Sequence, residues 1–304
     1  MTPTTFLVGQ LFNGLSVSSI LLLMALGLAI TFGLMGVINM AHGELMMLGS
    51  YTAYVLQNLF VRQFGEQNFG GYFLVALPMS FVVAGLMGLL LERALIRHLY
   101  GRPLETLLAT WGVSLILQQA MRQVFGANNV DVRSPNWLTG RWQPSAGLEF
   151  PHLRLFIIVF TALAIAGMYA LLFRTNIGLK IRAVTQNRDM SACLGVPTAK
   201  VDAYTFSLGS GLAGVAGCIL SLMGSVGPTT GQNYIVDAFM VVVLGGVGKL
   251  AGAIAGSFGI GECNTLFESF STATMGKVIV FTLVILFLQW KPSGLFPSKS
   301  RSLD

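Results

Sequence analysis

Long apolar stretches separated by short polar segments run through the whole chain. A stretch of about 20 apolar residues is long enough for a helix to cross the hydrocarbon core of a bilayer. The clearest stretches occupy residues 9–34, 72–91, 104–124, 155–173 and 201–223. Together with shorter stretches towards the C-terminus, they predict an all-α polytopic membrane protein with eight or nine transmembrane helices.

Two apolar regions are interrupted by glycine-rich segments instead of charged loops. FGLMGVINMAHG (residues 32–43) precedes an apolar run at 45–60, and LGGVGKLAG (residues 244–252) divides 236–248 from 251–267. Non-helical backbone is tolerated at membrane depth only where it packs inside protein or lines a wet cavity. We therefore predict discontinuous or re-entrant segments, and an internal repeat of two halves with one interrupted region each. With nine crossings, the two interrupted regions would have the same orientation in the membrane. An inverted repeat requires opposite orientations, so the relation between the two halves stays open.

Composition supports a membrane protein and narrows its functions. Of the 304 residues, 54% are hydrophobic and only 10% are charged, whereas a soluble domain carries about 25% charged residues. The net charge of +6 arises mostly in residues 93–102, 174–200 and 291–301. Membrane topology explains such basic loops, so they do not support nucleic-acid binding. We predict one transmembrane domain that comprises residues 1–304.

The elbow, residues 174–200, is the longest basic interruption between two apolar blocks, with five basic residues and one acid. Because Lys and Arg accumulate in cytoplasmic loops, we predict that the elbow is cytoplasmic. Residues 181–194 contain helix formers with apolar positions on one face, and Gly195 and Pro197 follow them, which predicts one short amphipathic helix. Such a helix suits docking on a soluble partner. An ordinary loop with topology-determining charges is the alternative.

A few polar residues within the apolar runs are candidates for a solute path. Glu44 stands at the start of an apolar run beside Asn39 and His42. An acid at membrane depth costs about 2.5 to 3.5 kcal/mol and usually faces the protein interior or an aqueous path. Alternatively, Glu44 satisfies free N–H groups and the positive dipole end of a helix N-terminus.

Further polar candidates lie in two other runs. Glu262 and Asn264 belong to the second interrupted region and favour the same interpretation as Glu44. Thr110, Gln118 and Gln119 belong to a polar stripe on the run at 104–124. Amide and hydroxyl side chains of this kind bind a solute or join helix to helix, and the sequence alone leaves both roles open.

The motif inventory argues against an enzyme. The chain contains no HExxH, no GxSxG and no phosphate-binding GxxxxGK[ST]. Its three histidines are far apart, and its three cysteines lack the spacing of a metal site. We expect no catalytic residues, no metal and no cofactor in this chain, and any ATP must be used by a partner polypeptide.

Three segments carry a family resemblance that covers essentially the whole chain. GLAITFGLMGVINMAHGELMMLGSY (residues 27–51), GLKIRAVTQNRDMSACLGV (178–196) and VVLGGVGKLAGAIAG (242–256) resemble the inner-membrane permeases of branched-chain amino acid ABC importers. Within that family, TLLATWGVSLILQQ, FGANNVDV and FLQWKPSGLF are most similar to the first permease subunit of urea ABC importers. The resemblance implies a multi-pass permease of the bacterial inner membrane that moves urea by alternating access.

The resemblance also implies partners. These are a second permease of the family, two cytoplasmic ATP-binding subunits, an extracytoplasmic solute-binding protein and membrane lipid. The elbow would then be the coupling helix that enters a groove of an ATPase. The coupling residues expected on this basis are Arg182, Ala183, Gln186, Asn187, Arg188, Asp189, Leu194 and Gly195.

Two other functions remain open at this stage. One is a permease for branched-chain amino acids or related amides, and the other is a passive channel for a small neutral solute. An amino acid zwitterion needs a charge pair, and the apolar runs contain acids but hardly any bases. Urea, a small neutral donor and acceptor, suits a path of Asn, Gln, Thr and one carboxylate, so composition weakly favours urea.

Overall fold

A computed structural model describes residues 3–65, 70–145, 148–270 and 272–296. These residues form eleven α-helices and one two-stranded antiparallel hairpin. The helices are α1 (Pro3–Met35), α2 (His42–Phe64), α3 (Tyr72–Ala94), α4 (Pro103–Phe125), α5 (His152–Arg174), α6 (Asn176–Gln186), α7 (Arg188–Cys193), α8 (Thr198–Leu220), α9 (Thr230–Gly245), α10 (Leu250–Phe270) and α11 (Ala273–Trp290). The strands are β1 (Arg141–Ser145) and β2 (Leu148–Pro151).

Several helices have the length and hydropathy of membrane spans. By length and composition, four stretches of the described chain qualify: Leu7–Met35, Tyr72–His98, His152–Arg174 and Thr198–Leu220. The bent pair of α9 and α10 is a fifth if it forms one broken span. The helices α2 and α4 have 23 residues each, as many as α3, but they are more polar. The all-α polytopic fold is therefore confirmed. The number of eight or nine crossings stays a prediction, since it also requires α2, α4 and the shorter α9 and α11 to cross the membrane.

Both predicted interruptions are real breaks in helical structure. Gly36 ends α1 with a φ of +67°, and α2 begins six residues later at His42. At the second break, Gly246 and Gly248 have φ values of +97° and +90°, and the axes of α9 and α10 differ by 120°. Side chains with a Cβ rarely adopt this left-handed region, so glycine is required where the chain turns. The discontinuous segments are thus confirmed.

The packing divides the bundle into two related halves. The helix α1 packs on α8, α9 and α10, while α8 packs on α1, α2 and α3. The pairs α2–α3 and α9–α10 also pack within their halves. Exchanging α1, α2 and α3 for α8, α9 and α10 therefore reproduces the same set of neighbours.

This symmetry corrects the correspondence that the glycine pattern predicts. The counterpart of the break before α2 is the segment between α8 and α9, residues 221–229, and not the α9–α10 turn. Gly43 and Gly231 occupy corresponding positions. A Cβ built on either glycine would lie 2.3 Å from the carbonyl oxygen of the other. Helix order and packing determine which segments of the two halves correspond. Glycine-rich turns do not, because one can occur in either half wherever a helix bends.

The centre of the bundle consists of α1 and α8. Their spanning windows are 67% and 78% buried, against 28% for α3 and 22% for α5. Glycines on α8 allow the close approach: a Cβ at Gly209 would lie 2.7 Å from the carbonyl oxygen of Gly27 on α1, and one at Gly217 would meet Met46 on α2. Small residues at a helix crossing allow this close packing within the membrane.

The segment between α4 and α5 contains three prolines but forms regular structure. It contains the β1–β2 hairpin, in which Trp142 pairs with Phe150 and their rings lie 5.9 Å apart. An isolated bridge between Val130 and Val226 joins the same segment to the α8–α9 loop. Cross-strand aromatic contacts stabilise the hairpin although its composition resembles a loop.

Candidate functional site

A carboxyl group on α2 meets polar side chains of α4 inside the bundle. Glu44 lies in the first turn of α2, and its side chain is fully buried. Its Oε1 accepts hydrogen bonds from Ser114 Oγ at 2.9 Å and from Gln118 Nε2 at 2.8 Å. We name Glu44, Ser114 and Gln118 the carboxyl cluster. The second carboxyl oxygen, Oε2, has no hydrogen-bond partner in the described residues, so it is available to a further donor.

The sequence of α4 explains why the carboxyl cluster forms. Polar residues recur at every fourth position and all are buried: Thr106, Thr110, Ser114 and Gln118. A spacing of four places them on one face of the helix, while Leu104 and Ile116 on other faces are exposed. Thr110 accepts a hydrogen bond from the Met40 amide at 3.1 Å, so the same face also holds the break before α2.

The other candidates of the first region take different positions. Asn39 accepts a hydrogen bond from the Ala41 amide at 3.0 Å and so forms the turn that leads into α2. His42 is buried with Nε2 3.4 Å from the Met24 carbonyl oxygen, so it faces α1. Gln119 is exposed, because it lies one residue beyond the buried face of α4. The structure joins Glu44 and Gln118 and leaves Gln119 outside the carboxyl cluster.

A second polar region surrounds a cavity of about 510 Å³, which we name the α9 cavity. Residues of α1, the α8–α9 loop, α9, α10 and α11 line it. Because Leu220 at the end of α8 lines the cavity and the elbow precedes the start of α8, the two lie at opposite ends of that helix. Met24, whose carbonyl meets His42, also belongs to the wall.

The wall of the α9 cavity contains an ion pair. Lys277 Nζ lies 3.2 Å from Asp237 Oδ2, and Asp237 is the more buried of the two. Sequence analysis did not identify this ion pair, because the apolar runs contain hardly any basic residues. One signal was present, since Asp237 is an acid inside an apolar run, where ionisable residues are usually functional. Its partner was not apparent because it is 40 positions away on another helix.

The two candidates of the second interrupted region separate. Asn264 lines the α9 cavity, donates from Nδ2 to Glu268 at 3.0 Å, and keeps a buried Oδ1 without a partner in the described residues. Glu262 packs its carboxyl group against Gly14 of α1 and is not part of the cavity wall. Packing symmetry pairs Glu44 with Gln232, because these residues follow Gly43 and Gly231. Glu262 is therefore not the counterpart of Glu44.

The elbow forms two helices and not the single helix predicted for residues 181–194. The first, α6, begins earlier, and Thr175 caps it by accepting from the Gly178 amide at 3.1 Å. Asn187 then adopts an extended conformation and accepts from the Met190 amide at 2.9 Å, which starts α7. Asn is a strong N-cap, so this side chain breaks an otherwise helical pattern. Gly195, with a φ of +81°, follows as predicted.

The elbow presents apolar and polar side chains away from the bundle. Leu194 is 77% exposed and Met190 is 59% exposed. The predicted coupling residues Gln186, Asp189 and Gly195 are also exposed, whereas Ala183 and Arg182 are half-buried. The Arg182 guanidinium lies 4.9 Å from the ring centre of Phe173 on α5. This surface suits docking on another protein.

Arg188 ties the elbow to two other elements. Its guanidinium lies 2.7 Å from Asp202 Oδ2 on α8 and 4.4 Å from the ring centre of Tyr100, which precedes α4. Burial raises the pKa of the Tyr100 hydroxyl, so the phenol stays neutral at physiological pH. Arg188 therefore contacts the bundle while its side chain stays 42% exposed, and its predicted role on the ATPase remains a prediction.

Comparison with known proteins identifies relatives along nearly the whole chain. Residues 10–288 match the family described as Branched-chain amino acid transport system / permease component. The high-affinity branched-chain amino acid transport system permease protein BraD of Pseudomonas aeruginosa is 31% identical over 296 residues, which cover 94% of each chain. LivH of Escherichia coli K12, a permease protein of the same kind of system, is 30% identical with the same coverage.

An archaeal relative extends the match. A probable branched-chain amino acid transport permease protein LivH of Methanocaldococcus jannaschii is 31% identical over 91% of this chain and 89% of its own length. No solved structure matches the chain.

Proposed function

The chain belongs to the branched-chain amino acid transport permease family, and on that basis we propose that it forms the solute path of an ATP-driven importer together with a second permease of the family. It is a permease subunit of an ABC importer and not an enzyme, and it is a multi-pass protein of the inner membrane. Permeases of this kind work with ATPase subunits and a solute-binding protein. We infer two ATPases on the elbow side and the binding protein on the side of the α9 cavity.

The observation that carries this proposal is the exposed elbow at one end of the bundle. Met190 and Leu194 are apolar side chains without cover in the described chain, beside the charged Asp189. Exposed apolar residues rimmed by polar ones are typical of protein interfaces. Because the sequence contains no ATP-binding loop, an ATPase docked on this surface would supply the energy.

The contacts of Arg188 offer a route by which a movement of the elbow could reach the transmembrane bundle. A displacement of α7 would act on α8 through Asp202 and on the segment before α4 through Tyr100. In turn, α4 carries Ser114 and Gln118, which bind Glu44. ATP binding would thereby favour one of two arrangements of the bundle. Such a shift requires that the ATPase binds the two arrangements with different affinity.

For the cargo, the relatives support a branched-chain amino acid. The Asp237–Lys277 pair in the α9 cavity removes the objection that the membrane part lacks a base. Branched aliphatic side chains such as Ile20, Leu21 and Ile260 line the same cavity and suit an aliphatic cargo. We therefore propose a branched-chain amino acid as the solute.

Urea is the second candidate, and the uncharged polar lining favours it. Asn129, Asn233 and Asn264 offer amide donors and acceptors in the α9 cavity, and Glu44 has a free oxygen in the carboxyl cluster. Urea pairs with groups of this kind without needing a charge pair.

An uptake experiment tests the importer and both cargoes. Cells with or without this chain receive labelled leucine or labelled urea at low concentration, with the other compound unlabelled in excess, before and after energy depletion. We expect leucine uptake that requires the chain, stops on depletion and ignores urea. Uptake of urea that ignores leucine would establish the second candidate. Uptake that survives depletion would contradict the importer and indicate a passive channel.

A further inference from the structure

Two oppositely charged side chains from different helices meet in the α9 cavity. Asp237 lies about 10 Å from the start of α9 and Lys277 lies one turn into α11, so both belong to helices of the membrane bundle. The side chain of Asp237 is 15% exposed and that of Lys277 is 53% exposed. The lysine therefore has room to move, while the carboxylate is held in the wall.

Stability alone does not account for this pair. Ionisable side chains within a membrane bundle are costly and mostly mark solute or ion pathways. A paired acid and base gives little or no net stability compared with apolar side chains of similar volume. A structural tie between α9 and α11 could therefore be made from apolar residues alone.

The surroundings of the pair point to a particular ligand. Asn264 presents a buried Oδ1 without a hydrogen-bond partner in the described residues, and it lines the same cavity. Val17, Ile20 and Leu21 of α1 form an apolar part of the wall. An acceptor, an acid, a base and an aliphatic surface are the groups that an aliphatic amino acid requires.

We propose that the Asp237–Lys277 pair is the receiving site for the zwitterion of an aliphatic amino acid. The ammonium group of the ligand pairs with Asp237 and Asn264 Oδ1, and its carboxylate pairs with the ammonium group of Lys277. One internal ion pair is thereby replaced by two ion pairs to the ligand, and the net charge of the cavity stays zero. The inference rests on the proposed importer function and names the residues that select its cargo.

The test uses proteoliposomes that contain the complete importer, with labelled leucine as the probe. The variants are Asp237→Asn, Lys277→Met, and the double change Asp237→Leu with Lys277→Met, which retains apolar contact between the helices. Glu149→Gln is the matched control, because Glu149 belongs to an exposed ion pair with Arg141 on the hairpin. Uptake, ATP hydrolysis without solute and the melting temperature are measured for each.

We expect the three cavity variants to raise the half-saturating leucine concentration at least about tenfold, the effect of losing one charged hydrogen bond. The melting temperature of the double apolar variant should match that of Glu149→Gln, because it leaves no unpaired charge between α9 and α11. Lys277→Arg keeps the charge and should retain uptake. A double apolar variant that imports leucine like the parent would overturn the proposal and reduce the pair to a structural tie.

Two uptake results distinguish a wrong zwitterion site from a wrong importer function. ATP-dependent uptake of urea by a parent protein that imports no leucine overturns the zwitterion site and leaves the importer intact. Uptake of either solute without ATP contradicts the importer itself.

Discussion

A single methyl group at Gly43 should loosen the crossing that joins the two halves of the bundle. A Cβ built at this position lies 2.3 Å from the carbonyl oxygen of Gly231, and the reciprocal distance from Gly231 to the Gly43 oxygen is also 2.3 Å. Ordinary contacts between non-bonded heavy atoms lie at about 3.5 Å, so α2 and α9 would have to separate by about 1 Å. Neither oxygen belongs to a side chain, so no rotamer change relieves the clash.

The cost of Gly43→Ala follows from this geometry. Insertion of one carbon into a closely packed site costs about 1 to 3 kcal/mol. For a chain of this size, each kcal/mol changes the melting temperature by about 2 to 4 °C. We expect Gly43→Ala to lower the melting temperature of the detergent-purified protein by about 2 to 12 °C, measured by tryptophan fluorescence.

Two other helical glycines supply the control. Gly112 on α4 and Gly259 on α10 have no described heavy atom within 4 Å of a built Cβ. Replacement of a helical glycine by alanine in open space favours the helix by about 0.8 to 1 kcal/mol. Gly112→Ala and Gly259→Ala should therefore leave the melting temperature unchanged or raise it. A Gly43→Ala protein as stable as these two would refute the assigned crossing.

Two further predictions concern the carboxyl cluster and the elbow. Gln118→Leu removes one of two donors to the buried Glu44 and should lower the free energy of unfolding by about 1 to 3 kcal/mol and slow uptake. The exposed Gln123→Leu on the same helix should do neither, and equal effects would argue against the hydrogen bond. Arg188→Met leaves the carboxylate of Asp202, which is only 5% exposed, without its partner, so the free energy of unfolding should fall by about 3 to 5 kcal/mol. Solute taken up per ATP hydrolysed by the reconstituted importer should drop, and an unchanged ratio would exclude a coupling role for this contact.

The features predicted correctly from the sequence depend on neighbouring residues. Length and hydropathy of each stretch are local properties, so the all-α membrane fold was evident in the order of the residues. The breaks before α2 and before α10 were evident as well, because glycine permits left-handed backbone at Gly36, Gly246 and Gly248. The single helix predicted for residues 181–194 was wrong, because the side chain of Asn187 caps α7 and divides the elbow into two helices.

The tertiary structure alone brought the candidate site together. Ser114 and Gln118 reach Glu44 across 70 and 74 positions of the chain, and Lys277 reaches Asp237 across 40. The periodicity of α4 indicates which of its residues share a face, but not which helix that face meets. The contact of α2 with α9 has the same origin, since these helices are far apart in the chain and meet only in the folded bundle. Local sequence determines where helices form and end, whereas contacts between distant segments depend on the packing of the whole bundle.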